Sequence, residues 1–404
     1  MSYRSVKLMF WAVIFVFTMV ITVFASQFSP EVENWLQEHK IGPHQEDEVD
    51  YDELYQLALE RGETKVVVYA SSSRGPASLA EGFYDKYPEI EVEWNTLGTA
   101  DSLERFMREQ AAGIYNVDIM FCSDMGMQVT VLHPEGMIFP WVPPDLIGVI
   151  RPAQREPLLG HRLEARTILY NDHVYKEPPI ESWWDLTKPE WEGKFVLVDP
   201  RSDSSVLDLF QAFVFHSEEM AAEYERVFGE PIELTTPTAG HEFIKRLAKN
   251  NPRFVASDKD ARWVAEKGLE DPPLAVGMTF GRIREAGDPE MGYLGWTVPV
   301  NIKPRVGFAY PSGLNIAYGA PHPTAAKLVV RWLMGDEKGG GGMTPWFVPG
   351  NWPVRTDVEN APEHDFLGEG YSWALGELDF WYLEAEKYFL GKEELLKFVQ
   401  DVFK

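Results

Sequence analysis

The stretch Lys65-Val-Val-Val-Tyr-Ala-Ser-Ser-Ser-Arg-Gly-Pro76 opens the folded body of the chain. Its first half is a short run rich in β-branched residues, which is typical of a strand, and its second half is a loop of serine and glycine. Pro76 is a favourable first residue for a helix, and an amphipathic pattern continues from Ala77 to Tyr87. The stretch therefore predicts a strand, a hydroxyl-rich loop and a helix in succession.

The same succession recurs along the chain. A second unit runs from Ile90 to Ala112, and a third begins with Val117 to Phe121 before a turn at Ser123-Asp124. The pattern restarts with a buried strand at Lys194 to Val198, a serine-rich loop from Asp199 to Ser205, and another helix. Strands that alternate with helices require right-handed crossovers onto a mostly parallel sheet. The chain is therefore predicted to be an α/β protein whose second lobe repeats the design of the first.

Two extended segments, Arg162 to Tyr170 and Val306 to Tyr318, are placed to carry the chain from one lobe to the other and back. A double crossing of this kind makes a hinge. The predicted division assigns residues 64–165 and about 311–404 to lobe 1, and residues 166–310 to lobe 2.

The N-terminal residues indicate export. Arg4 and Lys7 precede an almost uninterrupted apolar stretch from Leu8 to Ser26, which is the order found in secretory signals. The stretch is also close to bilayer-spanning length, so residues 1–26 are consistent with a cleaved signal or with an uncleaved anchor. A cleaved signal and an uncleaved anchor would both place the remaining chain in the periplasm or on the outer face of the cytoplasmic membrane. Residues 27–62 are strongly acidic and are predicted to form a spacer with short helices.

Composition excludes several classes of function. A net charge of −26 makes binding to the phosphate backbone of nucleic acids unfavourable. The single cysteine, Cys122, leaves neither an internal disulfide nor a Cys-rich metal site. The sequence contains no nucleotide-binding fingerprint, HExxH motif or nucleophile elbow, and its histidines are scattered. The chain is therefore predicted to have no catalytic residues, metal or cofactor.

Four short strings are among the most informative: Val66-Val-Val-Tyr-Ala-Ser71, Asp118-Ile-Met-Phe121, Ile168-Leu-Tyr-Asn171 and Trp352-Pro-Val-Arg355. In this order and spacing they resemble the extracellular solute-binding proteins of ABC importers, in the branch that includes ferric-iron, polyamine, phosphonate and sugar-phosphate binders. The resemblance covers roughly residues 64–358. It implies a two-lobed type II periplasmic binding fold with a double hinge crossing, closure on a ligand, and a permease in the cytoplasmic membrane as partner.

One departure from that family bears on the ligand. Its ferric-binding members carry a pair of tyrosines after a late strand of the second lobe, where this chain has Gly277-Met-Thr-Phe-Gly281. The pair is missing, and neither cysteines nor clustered histidines replace it. Direct binding of ferric iron is therefore disfavoured.

Candidate ligand contacts lie in the loops that follow the strands, because ligands of parallel sheets bind beyond the carboxyl ends of the strands. Each lobe offers serine hydroxyls and free backbone N–H groups at a helix start, which can hold an anion, although ordinary helix capping explains them as well. Arg74 is the leading cation for such an anion. The predicted contacts are Ser71, Ser72, Ser73, Arg74, Thr99, Ser123, Asp124, Ser202, Ser204, Ser205, Asp258, Thr279, Phe280 and Tyr310.

These features predict a monomeric protein that captures a small anionic solute, namely a phosphonate, a sugar phosphate or a carboxylate, and passes it to an ABC permease. Two alternatives keep the same fold. Asp124, Asp203 and Asp258 could instead bind the ammonium groups of a polyamine, and a metal complex is a related ligand. A chain anchored by its N-terminus could also serve as a membrane-tethered ligand sensor.

Overall fold

The computed structural model describes residues 28–286, 288–292, 294–358 and 375–404. The signal or anchor predicted at residues 1–26 lies outside these ranges. Within them, no helix combines the length and the apolar character that a membrane crossing needs.

Strands and helices alternate along the described residues. The strands are β1 (Lys65–Ala70), β2 (Glu91–Thr96), β3 (Ile119–Cys122), β4 (Ile138–Phe139), β5 (Gly160–Asn171), β6 (Phe195–Val198), β7 (Arg253–Val255), β8 (Leu274–Thr279), β9 (Trp296–Thr297), β10 (Gly307–Ala317), β11 (Trp352–Pro353) and β12 (Phe380–Tyr382). The α-helices are α1 (Pro30–His39), α2 (Tyr51–Glu60), α3 (Gly75–Ala80), α4 (Phe83–Lys86), α5 (Thr99–Ala111), α6 (Met125–Met127), α7 (Ser204–Phe215), α8 (Ser217–Phe228), α9 (Ala239–Lys249), α10 (Pro323–Leu333) and α11 (Ala385–Val402).

The strands of the described residues join one sheet, whose main path is β2-β1-β3-β10-β5-β8-β6-β7. The short strands β4 and β12 pair with β10, and β9 and β11 pair with β5. In one half of the sheet β1 runs parallel to β2 and β3, and in the other β6 runs parallel to β7 and β8. Strands β5 and β10 are antiparallel partners between these halves. The predicted α/β fold with two parallel units is confirmed.

The inner strands of the two units are buried on both faces. All residues of β3 and of β6 are buried, as expected where helices cover both faces of a parallel sheet. The helices that follow begin at capping carboxylates. Asp124 accepts a hydrogen bond from the backbone N–H of Met127, and Asp203 accepts from those of Ser205 and Val206. The passage from strand to helix therefore places polar side chains at the carboxyl edge of each unit.

The first lobe packs around β1 and β3, and helices α1 and α2 belong to its core. Val32 and Leu36 of α1 and Leu54 and Ala58 of α2 are buried there. The acidic spacer predicted at residues 27–62 is therefore not a detached tether in its described part. One apolar stripe on each helix docks it on the first lobe, while acidic side chains such as Glu31 stay exposed.

The second lobe packs around β6 and β8, with Trp184 fully buried in its core. Helix α11 joins this core through Tyr388, Leu395 and Val399 and lies against α7. The described C-terminal residues, 375–404, therefore pack on lobe 2, which differs from the predicted assignment of 311–404 to lobe 1. The buried apolar stripe of α11 belongs to the second core, and the helix also contacts α6 of the first lobe.

Strands β5 and β10 extend through both lobes. Residues Arg166 to Leu169 of β5 pair with β8 in the second lobe, and Gly313 to Ile316 of β10 pair with β3 in the first. Between these stretches, Glu164 lies opposite Tyr310 in the antiparallel register. The two predicted crossing segments are thus adjacent strands of one sheet, and they form the floor between the lobes.

Candidate ligand-binding site

A cavity of about 460 Å³ lies between the lobes. The loops after β1, β2 and β3 form one wall, and the loops after β6 and β8 form the other. Glu164, Arg166 and Tyr310 reach it from the hinge strands β5 and β10. A larger cavity of about 690 Å³, beside α1, is lined by the first lobe alone and is mostly apolar. The cavity between the lobes is therefore the candidate ligand site.

Most of the predicted contacts line this cavity, and they come from both lobes. They are Ser71, Thr99, Ser123, Asp124, Ser202, Ser204, Ser205, Thr279 and Tyr310. They meet because the carboxyl edges of the two parallel units face each other across the hinge strands. The hydroxyl-rich helix starts of both lobes thus open onto one space.

Three predicted residues of the first loop do not line the cavity. The Ser72 hydroxyl accepts hydrogen bonds from Trp346 Nε1 at 3.1 Å and from the backbone N–H of Arg74 at 3.4 Å, which hold it away. The Ser73 side chain is exposed to solvent. Arg74 extends toward Asn351, where its Nη1 lies 3.0 Å from the side-chain amide, which accepts a hydrogen bond when its oxygen faces the guanidinium group. Of the residues in this loop, Ser71 is therefore the one that lines the cavity.

Asp258 and Phe280 are also outside the lining. The Asp258 carboxylate is buried and accepts hydrogen bonds from Arg166 Nη1 at 2.7 Å and from Arg282 Nε at 3.3 Å. Phe280 is fully buried and packs against Trp352, with 5.3 Å between the ring centroids. Both predicted contacts therefore lie outside the cavity lining, with their side chains already packed or hydrogen-bonded to other groups.

Hinge strand β5 presents a row of charges. Arg162, Glu164 and Arg166 alternate along the strand, so their side chains share one face. Arg162 Nη2 donates to Glu164 Oε1 at 3.0 Å. Burial acts to raise the pKa of Glu164, but Arg162 and Arg74 outweigh it and lower that pKa. These contacts were not predicted, although the alternation of charges within an extended segment is a signal that could have found them.

Arg166 is the centre of a buried polar network. Its Nη1 donates to Asp258 at 2.7 Å, its Nη2 to Asp203 at 2.9 Å, and its Nε to the Ser205 hydroxyl at 2.8 Å. Burial acts to raise the pKa of Asp258, but the neighbouring guanidinium groups lower it to about 2. Because Asp203 caps α7, Arg166 fixes the serine-rich helix start of the second lobe against the hinge.

Lys392 of α11 joins the two walls of the cavity. Its Nζ lies 2.7 Å from Ser204 Oγ, 3.0 Å from Asp208 Oδ1 and 3.4 Å from Asp124 Oδ2. The Ser204 hydroxyl also donates to Asp124 Oδ2 at 2.8 Å, a direct contact between the lobes. Burial raises the pKa of Asp208 to about 7, although Lys392 acts in the opposite direction. No sequence pattern indicates Lys392, which is 188 residues from Ser204.

The pair of Ser204 and Lys392 has the spacing of a nucleophile and a base, but its electrostatics do not suit that role. Burial acts to lower the pKa of Lys392, and the Asp208 and Asp124 carboxylates reverse this effect and raise it. The ammonium therefore stays protonated at neutral pH and cannot accept the serine proton. The contact is a structural one.

The cavity lining carries more carboxylates than cations. The carboxylates are Asp101, Asp124, Glu164, Asp203 and Asp208, and the lining cation is Arg166. Such a surface accepts hydrogen bonds from hydroxyl or ammonium groups. Neither histidine nor cysteine lines the described cavity. Across the described ranges, no cluster of three or more His, Cys, Asp or Glu side chains could hold a metal ion.

Neither a protein-family model nor a curated protein matches the chain. Solved structures do match. The apo ferric ion-binding protein A of Pasteurella haemolytica is 19% identical with a TM-score of 0.62, over 84% of this chain and 98% of that one. Iron-bound HitA of Pseudomonas aeruginosa is 17% identical with a TM-score of 0.61, over 84% and 99%. AfuA of Actinobacillus pleuropneumoniae, a periplasmic binding protein with fructose-6-phosphate bound, is 16% identical with a TM-score of 0.58, over 83% and 97%.

Likenesses at this level of identity establish the fold, and each neighbour is covered almost completely. The structural neighbours include proteins that bind different ligands, so they leave the ligand of this chain open. The chain therefore has the two-lobed α/β fold of type II periplasmic binding proteins, as its resemblance to the solute-binding proteins of ABC importers implied.

Proposed function

We propose that this chain captures a small solute between its lobes and delivers it to an ABC importer, without catalysing a reaction. The observation that carries the proposal is the polar cavity over the hinge strands, lined by loops from both lobes. A ligand that touches both walls stabilises the closed state by the contacts that exist only there. The division into lobes at the crossing of β5 and β10 is part of this proposal.

The finer part of the proposal is a solute that is both anionic and hydroxylated. The carboxylates of the lining, with Asp124 and Asp203 among them, are acceptors for ligand hydroxyls, and Arg74, three residues after the cavity-lining Ser71, is a donor for an anionic group. Among phosphonates, sugar phosphates and carboxylates, a sugar phosphate supplies both kinds of group. The bound fructose-6-phosphate of the AfuA neighbour supports this choice.

The remaining parts of the proposal concern place and partner. The basic residues and the apolar stretch before residue 27 support export, so the protein would act outside the cytoplasmic membrane as a monomer, with the permease as its partner. Deletion of the gene tests the delivery step, because uptake of the labelled solute by the cells should be lost.

A polyamine is the second candidate ligand, and the excess of carboxylates in the lining favours it. Ammonium groups would pair with Asp101 or Asp124, which lie on the first-lobe wall. The two candidate ligands carry opposite charges, so a single panel of anionic and cationic compounds distinguishes them.

The test is the thermal unfolding of the protein with fructose 6-phosphate, fructose, methylphosphonate, citrate and spermidine. A ligand at about a hundredfold above its dissociation constant adds about 2.7 kcal/mol of stability. We expect the sugar phosphate to stabilise the protein and spermidine not to do so. Stabilisation by spermidine alone would replace the anion proposal with the polyamine, and the absence of any shift would contradict solute capture from these classes.

A pair of variants in one loop supplies the matched control. Ser71 lines the cavity, whereas Ser73 is exposed outside it. Ser71→Ala should weaken binding of the stabilising solute, while Ser73→Ala should leave its affinity unchanged. Equal effects of the two substitutions would show that the cavity is not the binding site.

A further inference from the structure

A cluster of charged side chains adjoins the cavity at the junction of the lobes. Within the described residues, six arginines share four carboxylates there. The arginines are Arg74, Arg162, Arg166, Arg262, Arg282 and Arg284, and the carboxylates are Glu164, Asp203, Asp258 and Glu285. Two positive charges are therefore left without a compensating carboxylate, in a protein whose overall charge is strongly negative.

The excess is located at Arg74 and Arg284. Glu285 lies 2.7 Å from Arg262 and 2.6 Å from Arg282, but 3.9 Å from Arg284. Arg74 forms no ion pair with any described carboxylate, and its Nη1 lies 3.0 Å from the neutral side-chain amide of Asn351. The other arginines of the cluster each lie within 3.3 Å of a carboxylate oxygen.

These two arginines come from different lobes and interact through their charges. Arg74 precedes α3 in the first lobe, and Arg284 follows β8 in the second. The Asn351 amide and Arg284 Nη1 both lie near Gly281, since a Cβ atom there would be 3.5 Å and 3.6 Å from them, and the charge of Arg284 acts on Arg74. The Arg284 side chain is 28% exposed, so a ligand can reach it from solvent.

Burial and neighbouring positive charges disfavour the charge of both guanidinium groups, although Arg284 Nη1 donates a hydrogen bond to the Gly281 carbonyl. Burial lowers the pKa of Arg74, and the charges of Arg284 and Arg162 lower it further. Burial and Arg282 likewise lower the pKa of Arg284. Arginine keeps its proton at neutral pH, so the lowered values express repulsion and desolvation rather than loss of charge. An anion bound between the two guanidinium groups would offset the repulsion between them and the cost of burying their charges.

We propose that Arg74 and Arg284 together bind a divalent oxyanion, such as a phosphate group, which links the two lobes and replaces the neutral Asn351 carbonyl. Guanidinium groups present paired N–H donors that match the oxygens of phosphate. A dianion also neutralises the excess of two charges. Glu164 connects this pair with the cavity electrostatically, since it lines the cavity and its charge acts on both Arg74 and Arg284.

The assignment of this oxyanion to the captured solute rests on the proposed function. In that arrangement the phosphate group of the solute would occupy the arginine pair, and its hydroxyls would face the carboxylates of the cavity. The same pair would also bind free inorganic phosphate, so the experiment includes both sources.

The first arm is isothermal titration of the full chain with inorganic phosphate. Arg74→Gln and Arg284→Gln should each weaken binding about tenfold or more, because each removes a charged donor pair. The double variant should lose little more than either single variant, because one anion needs both groups. Arg108→Gln on α5, where the side chain is 71% exposed, is the matched control and should leave the affinity unchanged. Equal affinities in all these variants would overturn the proposal.

A second measurement separates a binding role from a structural one. Without phosphate, Arg74→Gln should melt at the same temperature as the wild type or higher, because it removes a like charge beside Arg284. Arg74→Lys should retain part of the phosphate affinity, because lysine keeps the positive charge but lacks the paired N–H donors of the guanidinium group. A clear fall in the melting temperature of both Arg74 variants would assign a structural role to Arg74 and overturn the proposal.

The third arm titrates fructose 6-phosphate and fructose. The arginine variants should weaken binding of the phosphorylated sugar and leave that of fructose unchanged. If the phosphorylated sugar binds equally to the wild type and the variants, the proposed function stands and the arginine site fails. If inorganic phosphate binds through the arginines while the sugar phosphate does not bind, the arginine site stands and the sugar-phosphate function fails.

Discussion

Replacing Arg166 with methionine removes the guanidinium group from the buried network and keeps an unbranched apolar side chain in its place. The substitution breaks the ion pairs with Asp203 and Asp258 and the hydrogen bond to Ser205. Asp203 is 24% exposed, so water can solvate its carboxylate after the change. Asp258 is 8% exposed, so the main cost arises there.

The magnitude follows from the buried carboxylate. The pKa of Asp258 is lowered from 3.8 to about 2, which corresponds to about 2–3 kcal/mol of stabilisation of the ionised form. Breaking a buried ion pair typically costs about 3–5 kcal/mol. Arg282 still lies 3.3 Å from Asp258 and reduces the loss. We therefore expect Arg166→Met to lower the free energy of unfolding by about 3 kcal/mol at pH 7.

The sign of the pH dependence provides a second test. In the wild type, the folded-state pKa of Asp258 lies below the unfolded value, so its stabilisation is present above pH 3.8 and is lost as the pH falls toward 2. In the variant, the buried carboxylate can instead take up a proton. The difference between variant and wild type should therefore be smaller at pH 4 than at pH 7.

Urea unfolding followed by tryptophan fluorescence measures this difference, because Trp183 and Trp184 are fully buried in the second lobe. Arg108→Met is the matched control, since Arg108 and its partner Glu104 are 71% and 70% exposed and an exposed pair contributes less than about 1 kcal/mol. Adding Asp258→Asn to Arg166→Met should recover part of the loss. A loss below about 1 kcal/mol, or one that is equal at both pH values, would refute the reasoning.

Three further predictions concern other parts of the molecule. Burial raises the pKa of Asp208 to about 7, so its contribution to stability falls as the pH rises from about 4 to 7. Asp208→Asn should flatten the decline of the melting temperature over that same interval, and calorimetry showing a steeper decline would contradict this. A Cβ atom on Gly240 of α9 would clash with the Phe213 carbonyl oxygen of α7. Gly240→Ala should therefore lower the free energy of unfolding in urea by about 1–3 kcal/mol. An unchanged value would contradict the close packing of α7 and α9. Phe280→Tyr should bury an unpaired hydroxyl at a cost of about 1–3 kcal/mol and should give no visible tyrosinate–iron absorption with ferric citrate, whereas such a band would show that this position can supply an iron ligand.

Local sequence patterns predicted the strand-loop-helix units and, through them, most of the cavity. Short β-branched runs become strands, and hydroxyl-rich residues before an amphipathic pattern become helix starts, because both depend on neighbours a few residues away. The parallel arrangement then places these loops at one edge, so residues such as Ser71 and Ser204 could be predicted to meet. Within a loop, the direction of each side chain was not predictable, as Ser72 and Arg74 show.

The sequence by itself determined the α/β class, the positions of the hydroxyl-rich loops and the lack of a tyrosine pair, since these depend on local hydrophobic periodicity and on residue identity. Only the tertiary structure decided which charges meet. Lys392 reaches Ser204 across 188 residues, and the charge of Arg284 in the second lobe acts on Arg74 in the first. The interaction of charges depends on their separation and on burial, and both are set by how distant segments pack. The cavity lining and the unneutralised arginine pair are therefore properties of the folded molecule.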